Sequence, residues 1–563
     1  MIDVIQKLRA LFDKNNIDGY IIPKNDEFFS EYSNKDRLKA ISNFTGSAGY
    51  ALILKNKNYL FVDSRYTIQG KIECGKKFKI LDYENIFNCK YFKDLVIGLD
   101  PSLFTSNQIK KIFLKNKIKL IKTNLIDKII KFKNKNKKNF YSLNEKVTGQ
   151  SYQNKISKLA NYLKKNNLDH IFITAPENVA WILNIRGYDN PSSPIPNSNL
   201  IISKNRKKFI ISDKEKLKQL IKKKIINIKE VVDPKDIEFF FNKLNGKNIS
   251  IDTKSCSINY EQILNKKFRI IKKNDPIYLL KSIKNKTEIK NMIDAHIFDG
   301  AALTKFIYWI KKINKKKITE VEAQNKLEVF RKQNKSYLFP SFNTIAGSGK
   351  NAAIVHYRAN KNNTKIINKK DIFLCDSGGQ YKYGTTDVTR TVCFSKQSSD
   401  LKKIFTYVLK GHIAVANTNL NKTKVGKKID VTARKYLKQK GLNYGHGTGH
   451  GVGHFLNVHE GPQAISKFNT VEIKEGMILS NEPGFYQKNK FGIRIENLVY
   501  AKKTKKHLSF KNLTLAPIEK DLIDFNLLTK KEKNYLFNYH FEVYSKISPL
   551  LNKSEKKWLA SLI

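Results

Sequence analysis

The chain has 563 residues, enough for roughly three or four domains of ordinary size, each with its own core. Its 106 Lys and Arg residues against 49 Asp and Glu residues give a formal net charge of +57, which in general indicates nucleic acid or anionic membranes as partners. The excess is almost all lysine, is spread from end to end and accompanies abundant Asn and Ile, so we expect a solvated lysine surface and no nucleic-acid partner.

Residues 1–138 are predicted to form an α/β domain. A helical pattern of apolar residues opens the chain, and strands are expected after it at 20–22, 51–54 and 59–62. The charged run 131–139 has almost no apolar residues, which favours a linker or the solvated end of a helix.

The predicted order of a helix followed by a strand is repeated from about residue 150. A helix is predicted over 152–165 and a strand over 171–173. The segment NNID at 15–18, before the first strand of the chain, is echoed by NNLD at 166–169 before this one. We therefore expect two related α/β domains in tandem, the second over 145–284.

A third domain is predicted over 285–507. A long helical pattern starts near Asn285 and continues past Ile307. Every candidate catalytic residue falls inside this region. The tail, 508–563, contains another helical pattern near Trp558 and is expected to be a C-terminal extension of the catalytic domain.

The stretch 373–391, FLCDSGGQYKYGTTDVTRT, is typical of two strands joined by a Gly-containing connection. Asp376 shares a strand face with core residues, and Asp387 lies on the returning segment, so the two carboxylates can face each other. Buried carboxylates brought together need a shared proton, an arginine or a divalent metal. A purely structural role also remains open: the two aspartates could be exposed in a turn or form an ion pair with Arg390.

Residues 444–462, YGHGTGHGVGHFLNVHEGP, contain four of the ten histidines of the chain: His446, His450, His454 and His459. The interleaved glycines argue against a helix, which excludes a helical HExxH zinc site. Glu482 and Glu496 follow in apolar surroundings, where an unpaired carboxylate would be costly.

Four carboxylates and one imidazole at strand-like positions therefore form the candidate metal ligands: Asp376, Asp387, His450, Glu482 and Glu496. This oxygen-rich set without cysteine suits a pair of divalent ions such as Mn²⁺ better than structural zinc. Bridging carboxylates would hold two ions about 3.5–4 Å apart and lower the pKa of a shared water enough to give hydroxide near neutral pH. The expected chemistry is hydrolysis.

The residues of these motifs and their order along the chain resemble those of the Xaa-Pro aminopeptidases, which are metallopeptidases of the pita-bread fold. The similarity rests on DSGGQYKYGTTDVTRT, GHGTGHGVG with NVHEGP, SNEPGFY and GIRIEN. It reaches the start of the chain in GSAG at 46–49 and VDSRY at 62–66, and the tail at 513–518 and Tyr539-His540. The resemblance implies an α/β (α+β) chain of the long, three-domain cytosolic type, with two tandem creatinase-like domains, a pita-bread catalytic domain and a helical extension.

The resemblance also implies a role for each ligand. Asp376 would hold one ion, Asp387 and Glu496 would bridge two ions, and His450 and Glu482 would complete the coordination of the other. Glu482 would also shuttle the proton while hydroxide attacks the carbonyl that precedes a proline nitrogen. The implied substrates are peptides with proline in second position, and the implied cofactor is two divalent ions per subunit, with Mn²⁺ expected.

Five further residues receive roles from the resemblance. His356 would shape the substrate site, His459 would donate to the scissile carbonyl or the developing oxyanion, and His446 would line the prolyl pocket. Arg494 would support the bridging carboxylates, and Tyr486 would order the site. Without the resemblance, each of the three histidines also fits a structural role in a core or loop.

Three neighbouring positions are expected to stay outside the chemistry. His454 departs from the family pattern, where a small residue is expected, and we interpret it as a rim or supporting histidine. Lys382 and Tyr383, between the two aspartates, are expected to be solvated.

Three alternatives stay open. Prolidase, which cleaves only Xaa-Pro dipeptides, shares the five ligands, although the additional domain and the C-terminal module favour the aminopeptidase. A catalytically inactive module that binds protein or nucleic acid would have lost ligands that are present here. The amidinohydrolases of the creatinase type use the fold without metal and are disfavoured for the same reason.

The location and assembly are also expected from the sequence and the resemblance. No apolar run approaches the roughly 18 residues of a membrane helix, and the first 14 residues alternate charges too often for a secretory signal. The five cysteines, 74, 89, 256, 375 and 393, lack CxxC spacing, which predicts free thiols in a reducing compartment. We expect a cytoplasmic protein without a membrane partner, and the resemblance implies a homodimer.

Overall fold

The computed structural model describes residues 3–87, 91–113, 117–132, 136–314, 316–505 and 507–563. They divide into two compact units, Met1–Ile277 and Tyr278–Ile563. Cys89 and part of the expected linker 131–139 lie outside the described residues. Among the described helices, none combines the length and the apolar character that crossing a bilayer requires.

The first unit contains two six-stranded sheets built on one plan. Counted along the chain, the strands of each sheet lie in the spatial order four, three, two, one, five, six. In both sheets the first three strands are antiparallel neighbours and the remaining pairs are parallel. This identity of order and direction confirms the prediction of two related α/β domains in tandem.

The strands of the first sheet are Gly19–Pro23, Tyr50–Leu54, Asn58–Val62, Lys79–Asp82, Val96–Leu99 and Lys117–Leu120. Those of the second are His170–Ile173, Asn199–Ser203, Lys208–Ile211, Val231–Val232, Asn248–Ile251 and Arg269–Lys272. A separate pair is formed by Tyr141–Ser142 and Ile185–Arg186. The α-helices are Val4–Arg9, Arg37–Ser42, Thr67–Cys74, Ser106–Ile112, Leu125–Ile129, Glu145–Thr148, Tyr152–Lys165, Pro176–Ile182, Lys214–Lys222, Ile237–Lys243 and Ile258–Asn265.

The helix Tyr152–Lys165 shows why these segments fold as predicted. Ser151 caps its first turn by accepting a hydrogen bond from the amide of Asn154. Its buried face repeats at helical spacing through Ile156, Leu159 and Leu163, so the apolar stripe fixes both the element and the side that packs on the sheet.

The second unit begins within the helix Pro276–Ser282 and is dominated by a 23-residue helix, Lys286–Tyr308. Asn285 caps this long helix and forms a capping box with Glu288, which confirms the predicted start. A π-helical stretch, Trp309–Ile313, extends its C-terminal end. The other α-helices of the unit are Glu320–Lys332, Ser399–Ala416, Gly426–Lys438, Lys530–Ile547 and Lys553–Ala560.

Four small sheets complete the unit. One joins Ile345–Ser348, Ile372–Ser377 and Val388–Cys393, and another joins Tyr337–Pro340, Gly379–Tyr381 and Gly384–Thr385. The five-stranded sheet has the order Glu460–Ile465, Gly449–Gly451, Ile478–Asn481, Asn497–Thr504 and His507–Asn512. The last sheet pairs Gly484–Gln487 with Phe491–Arg494.

The predicted strand pair around Asp376 exists, with one difference. Asp376 lies opposite Thr389, and Asp387 stands one residue before the returning strand Val388–Cys393. Instead of a simple turn, the connection makes its own short hairpin in a second sheet. Gly378 permits this fold because a Cβ there would lie 2.0 Å from the Thr386 carbonyl oxygen, a separation that only glycine avoids.

The tail packs into the same unit. Its helix Lys530–Ile547 begins with a capping box of Thr529 and Glu532. The buried positions Leu536, Tyr539, Val543 and Ile547 recur at helical spacing and join one core cluster with residues of the helix Ser399–Ala416. The expected boundary at 507/508 falls at the strand His507–Asn512, which pairs with Asn497–Thr504.

Candidate metal centre

Three candidate ligands meet most closely. One ligand atom from each of Asp387, His450 and Glu496 lies within 4.8 Å of the other two. His450 Nε2 is 3.4 Å from Asp387 Oδ2 and 3.7 Å from Glu482 Oε1. Carboxylates and an imidazole gathered at these separations can hold a cation between them.

Each ligand is placed at or beside a strand. Asp376 lies in Ile372–Ser377, and Asp387 directly precedes the strand that pairs with it. His450 lies at the centre of Gly449–Gly451, and the neighbouring strand Ile478–Asn481 ends immediately before Glu482. Glu496 follows the strand Phe491–Arg494, two residues beyond Arg494. Strand ends from three sheets therefore converge.

Burial and the crowding of negative charge raise the pKa values of three of the candidate carboxyl ligands. Burial, together with the charges of Asp387 and Glu482, raises the pKa of Asp376 to about 7 despite the opposing guanidinium of Arg494. Burial and neighbouring carboxylates likewise raise the pKa of Glu482 and that of Glu496. The protein supplies too little positive charge to stabilise all the carboxylates in their ionised form.

The pKa of the His450 imidazole is also raised, although burial acts on it in the opposite direction. Burial alone would lower the pKa of His450, but the carboxylates of Asp387 and Glu482 outweigh it and raise the pKa to about 9. His450 Nδ1 is 3.0 Å from the carbonyl oxygen of Gly451, to which it donates in the neutral tautomer. Nε2 is then the nitrogen that faces the acids, the arrangement of a histidine whose Nε2 binds a metal once its proton is lost.

One oxygen of the candidate ligands has no hydrogen-bond partner among the described residues. Asp376 Oδ1 is buried and makes no hydrogen bond to any residue that the structure describes. Such an orphaned carboxylate oxygen is costly in a protein interior. Together with the raised carboxyl pKa values, it indicates that the residues present fit divalent cations.

A guanidinium supports the acids from one side. Arg494 Nη2 donates to Asp376 Oδ2 at 2.5 Å, and Nη1 donates to the Tyr486 hydroxyl at 2.5 Å. The same hydroxyl is 2.9 Å from His446 Nε2, and the two rings stack edge to face. A hydrogen-bonded series therefore runs from His446 through Tyr486 and Arg494 to Asp376.

Thr389 is a site residue that the sequence reasoning missed. Its Oγ1 donates to Glu496 Oε2 at 2.8 Å and accepts from Arg494 Nε at 3.0 Å. The alternation of side chains along a strand could have indicated it, because positions 387 and 389 lie on the same face of an extended segment. Thr389 is fully buried, so its hydroxyl is held between the candidate ligand Glu496 and the guanidinium of Arg494.

Arg390 is not the partner of the aspartates. Its guanidinium donates to the Glu496 carbonyl oxygen at 2.6 Å and to the Ala516 carbonyl oxygen at 2.9 Å. It also donates to the Tyr539 hydroxyl at 2.8 Å. The ion pair considered from the sequence is therefore wrong, and the aspartates are buried instead of exposed in a turn.

The remaining predicted histidines, His459 and His356, are both half-buried but lie in different surroundings. The His459 ring stands edge to face with His450, with 4.4 Å between the centroids. His356 is half-buried and follows the short 3₁₀ turn Gly349–Ala353, which packs against Phe491–Arg494. His459 thus contacts the cluster, while His356 lies in a segment that borders the Arg494 strand.

His454 does not lie on the rim. It is 2% exposed, with Nδ1 3.7 Å from Glu288 Oε1 and Nε2 3.3 Å from Asn291 Nδ2. It therefore packs against the long helix, where the larger side chain has polar neighbours. The expectation that Tyr383 is solvated is wrong: it is half-buried, because its ring packs on Phe455. Lys382 is exposed as expected.

A second group of potential ligands does not form a comparable site. Cys393, Glu519 and Asp521 also bring ligand atoms within 4.8 Å of one another. Lys311 Nζ lies 2.5 Å from Glu519 Oε2 and 3.1 Å from Asp521 Oδ2, so an ammonium already occupies the position between these two acids.

Comparison with known families divides the chain into four matched segments. The profile of metallopeptidase family M24 matches residues 290–503, and that of the C-terminal region of peptidase M24 matches residues 506–562. Two creatinase/prolidase N-terminal domain profiles match residues 5–122 and 131–288.

Curated relatives match over almost the whole chain. A probable Xaa-Pro aminopeptidase P from Laccaria bicolor is 36% identical, over 99% of this chain and 92% of the relative. Xaa-Pro aminopeptidase 1 from Dictyostelium discoideum is 35% identical, over 99% of this chain and 96% of the relative.

Solved structures agree with these matches. X-prolyl aminopeptidase from Caenorhabditis elegans, described as a cytosolic enzyme with a di-nuclear active site, superposes with a TM-score of 0.92 at 29% identity. The match covers 100% of this chain and 99% of that one. The prolidase from Pyrococcus horikoshii reaches a TM-score of 0.53 at 26% identity and covers 65% of this chain. The expected fold class, two creatinase-like domains before a pita-bread domain, is thereby confirmed.

Proposed function

The chain belongs to metallopeptidase family M24, and on this premise we propose that it is an aminopeptidase that removes the N-terminal residue of peptides with proline in second position. The observation that carries the proposal is the convergence of four carboxylates and one imidazole on one buried centre. The long relatives named as Xaa-Pro aminopeptidases, matched over 99% of this chain, support the substrate class.

We propose that the five ligands hold two divalent ions, with Mn²⁺ as the working metal. Asp376, Asp387, His450, Glu482 and Glu496 would hold these ions, in the roles that the family resemblance implies for them. Carboxylate-rich ligand sets favour hard cations such as Mn²⁺, and the orphaned Asp376 Oδ1 supports a cation beside it. When bound, such ions supply an activated nucleophile and positive charge beside the scissile carbonyl.

The residues of the chain manage protons and orientation around that chemistry. Glu482 is proposed to accept a proton from the nucleophile and deliver it to the leaving nitrogen. His459, in contact with the His450 ring, is proposed to donate to the developing oxyanion. His356 is proposed to border the substrate. Arg494 and Tyr486 hold Asp376 and His446 in place.

Proline specificity is proposed to depend on the ring of the substrate. An imide bond to proline lacks an N–H and is sterically shielded, so a peptidase must recognise the pyrrolidine ring by shape. His446, fixed against Tyr486, is proposed to line that pocket. Binding of the proline ring in this pocket would orient the carbonyl group of the preceding residue for attack.

We also propose the domain boundaries, the oligomeric state and the cellular location of the protein. We propose domains over 1–138, 145–284 and 285–507 and an extension over 508–563, a division supported by the four matched profiles. A cytoplasmic location is supported by the description of the C. elegans relative. The homodimer and the absence of a nucleic-acid partner stay predictions, to be checked by light scattering and by DNA binding at varied salt.

The decisive experiment measures release of the first residue from an Xaa-Pro-Yaa peptide. We expect activity to disappear on chelation and to return with Mn²⁺. Asp387→Asn and Glu482→Gln should nearly abolish it, whereas Asp400→Asn, at an exposed position, should leave it unchanged. Full activity in a metal-free preparation would contradict the proposal, and cleavage of Xaa-Pro dipeptides alone would identify a prolidase.

A further inference from the structure

A network outside the ligand set holds the glycine-rich segment that carries His446. Its centre is Arg434, on the helix Gly426–Lys438, whose Nε donates to Asp430 Oδ2 one helical turn earlier at 2.8 Å. The side chains of Arg434 and Asp430 are 11% and 3% exposed. An ion pair this shielded holds its geometry better than a surface pair, because solvent screens it less.

The guanidinium of Arg434 also donates hydrogen bonds to the backbone of this segment at two positions. Nη1 donates to the Tyr444 carbonyl oxygen at 2.8 Å, and Nη2 donates to the His446 carbonyl oxygen at 2.6 Å. The guanidinium carbon also lies 3.9 Å from the centroid of the Tyr444 ring, a stacked cation–π contact. The planar fork of arginine makes these contacts together, which a lysine ammonium cannot do.

Asp430 secures the other end of the segment. Thr448 Oγ1 donates to Asp430 Oδ1 at 2.6 Å and lies 2.5 Å from the Tyr444 hydroxyl. The Thr448 carbonyl oxygen accepts the amide of Glu482 at 2.8 Å. The Arg434–Asp430 ion pair therefore holds the backbone on both sides of His446. Through Thr448 it is also connected to Glu482, a proposed metal ligand.

The segment needs such support. Gly445, Gly447 and Gly449 leave its backbone with more conformational freedom than other residues would, and His446 is only half-buried. Its ring position is set by Tyr486 at Nε2 and by the Gly447 carbonyl oxygen, 2.7 Å from Nδ1. These contacts form only when the backbone carries the ring to the correct place.

We propose that Arg434, oriented by Asp430, is a positioning residue that holds His446 in the prolyl pocket and thereby sets the preference for proline. The inference rests on the proposed function and adds a residue pair that lies outside the metal ligands. It predicts an effect on substrate recognition that is larger than the effect on the chemical step.

The test compares Arg434→Lys with wild type on Xaa-Pro-Yaa and matched Xaa-Ala-Yaa peptides. We expect the lysine variant to raise KM for the proline peptide about tenfold, to change kcat little and to narrow the preference for proline over alanine, with manganese content unchanged. Asp430→Asn, which keeps an acceptor for Thr448, should act in the same direction. Lys435→Gln, on the exposed side of the same helix, is the control and should match wild type.

A double-mutant cycle with His446→Ala separates positioning from a general structural effect. If Arg434 acts through His446, adding Arg434→Lys to His446→Ala should change KM by less than about twofold. Additive effects, or an unchanged KM and proline preference in folded Arg434→Lys, would overturn the inference. Wild-type failure to cleave Xaa-Pro-Yaa would instead refute the proposed function, so the two failures are distinguishable.

Discussion

Thr389 donates from its hydroxyl to Glu496 Oε2 at 2.8 Å and accepts from Arg494 Nε at 3.0 Å. The hydroxyl therefore orients Glu496, a proposed metal ligand, without being a proposed ligand itself. Groups that hold metal ligands in this way fix the position of the carboxylate and tune its basicity.

Replacing Thr389 with valine keeps the shape of the side chain and removes the hydroxyl. We expect Thr389→Val to lower manganese affinity and activity by about 10- to 100-fold, the usual cost of losing such support. Metal titration by calorimetry and kcat/KM provide the measurements. Thr389→Ser retains the hydroxyl and is the matched control; an equally impaired serine variant would assign the effect to packing.

Metal binding should also stabilise the fold. The metal-free centre concentrates buried carboxylates with raised pKa values, so a bound cation relieves their repulsion. A ligand at 100 times its Kd stabilises the native state by about 2.7 kcal/mol. Thermal unfolding of the chelated protein should shift to higher temperature with added Mn²⁺, and Asp387→Asn should shrink the shift. Equal shifts in both proteins would place the stabilising ion elsewhere.

The tail is expected to support the centre through Tyr539. Its hydroxyl accepts from Arg390 Nη2 at 2.8 Å and donates to the Ala516 carbonyl oxygen at 2.8 Å. Tyr539→Phe removes both bonds in a buried position and should lower the free energy of unfolding by about 1–2 kcal/mol. Denaturant unfolding of the full chain measures this loss. Tyr544→Phe, at a half-buried position on the same helix, should change it by less.

His540 predicts a loss of stability in acid. Its buried Nε2 accepts the amide of Ile518 at 3.1 Å, which requires a neutral imidazole. Burial, with the nearby charges of Lys520 and Arg390, lowers the pKa of His540 from 6.5 to about 4. Below pH 6.5 the unfolded chain binds a proton that the folded chain does not, so stability falls as the pH drops toward 4.

This contribution amounts to about 3 kcal/mol across that interval. His540→Gln retains an acceptor for the Ile518 amide without a titrating group, so its unfolding free energy should fall less steeply between pH 6.5 and 4. Urea unfolding at several pH values gives the slopes. The exposed His507→Gln variant should keep the wild-type slope; parallel curves for wild type and His540→Gln would contradict the assignment.

Much of the fold follows from local patterns. The predicted helix 152–165 matches Tyr152–Lys165, and Asn285 caps the long helix as expected, because apolar periodicity and capping are written in neighbouring residues. The short hairpin between Asp376 and Asp387 was not predicted, since the close approach at Gly378 depends on Thr386 and Ser341. Sequence spacing alone does not display such packing.

The sequence by itself determined which groups were available: carboxylates and an imidazole at strand-like positions, in an order that resembles one peptidase family. Only the tertiary structure decided their partners. Asp376 meets Arg494, 118 residues away, and not Arg390, and Thr389 joins Arg494 to Glu496. Periodicity fixes the face on which a side chain lies, whereas long-range strand pairing and desolvation decide which charge it meets.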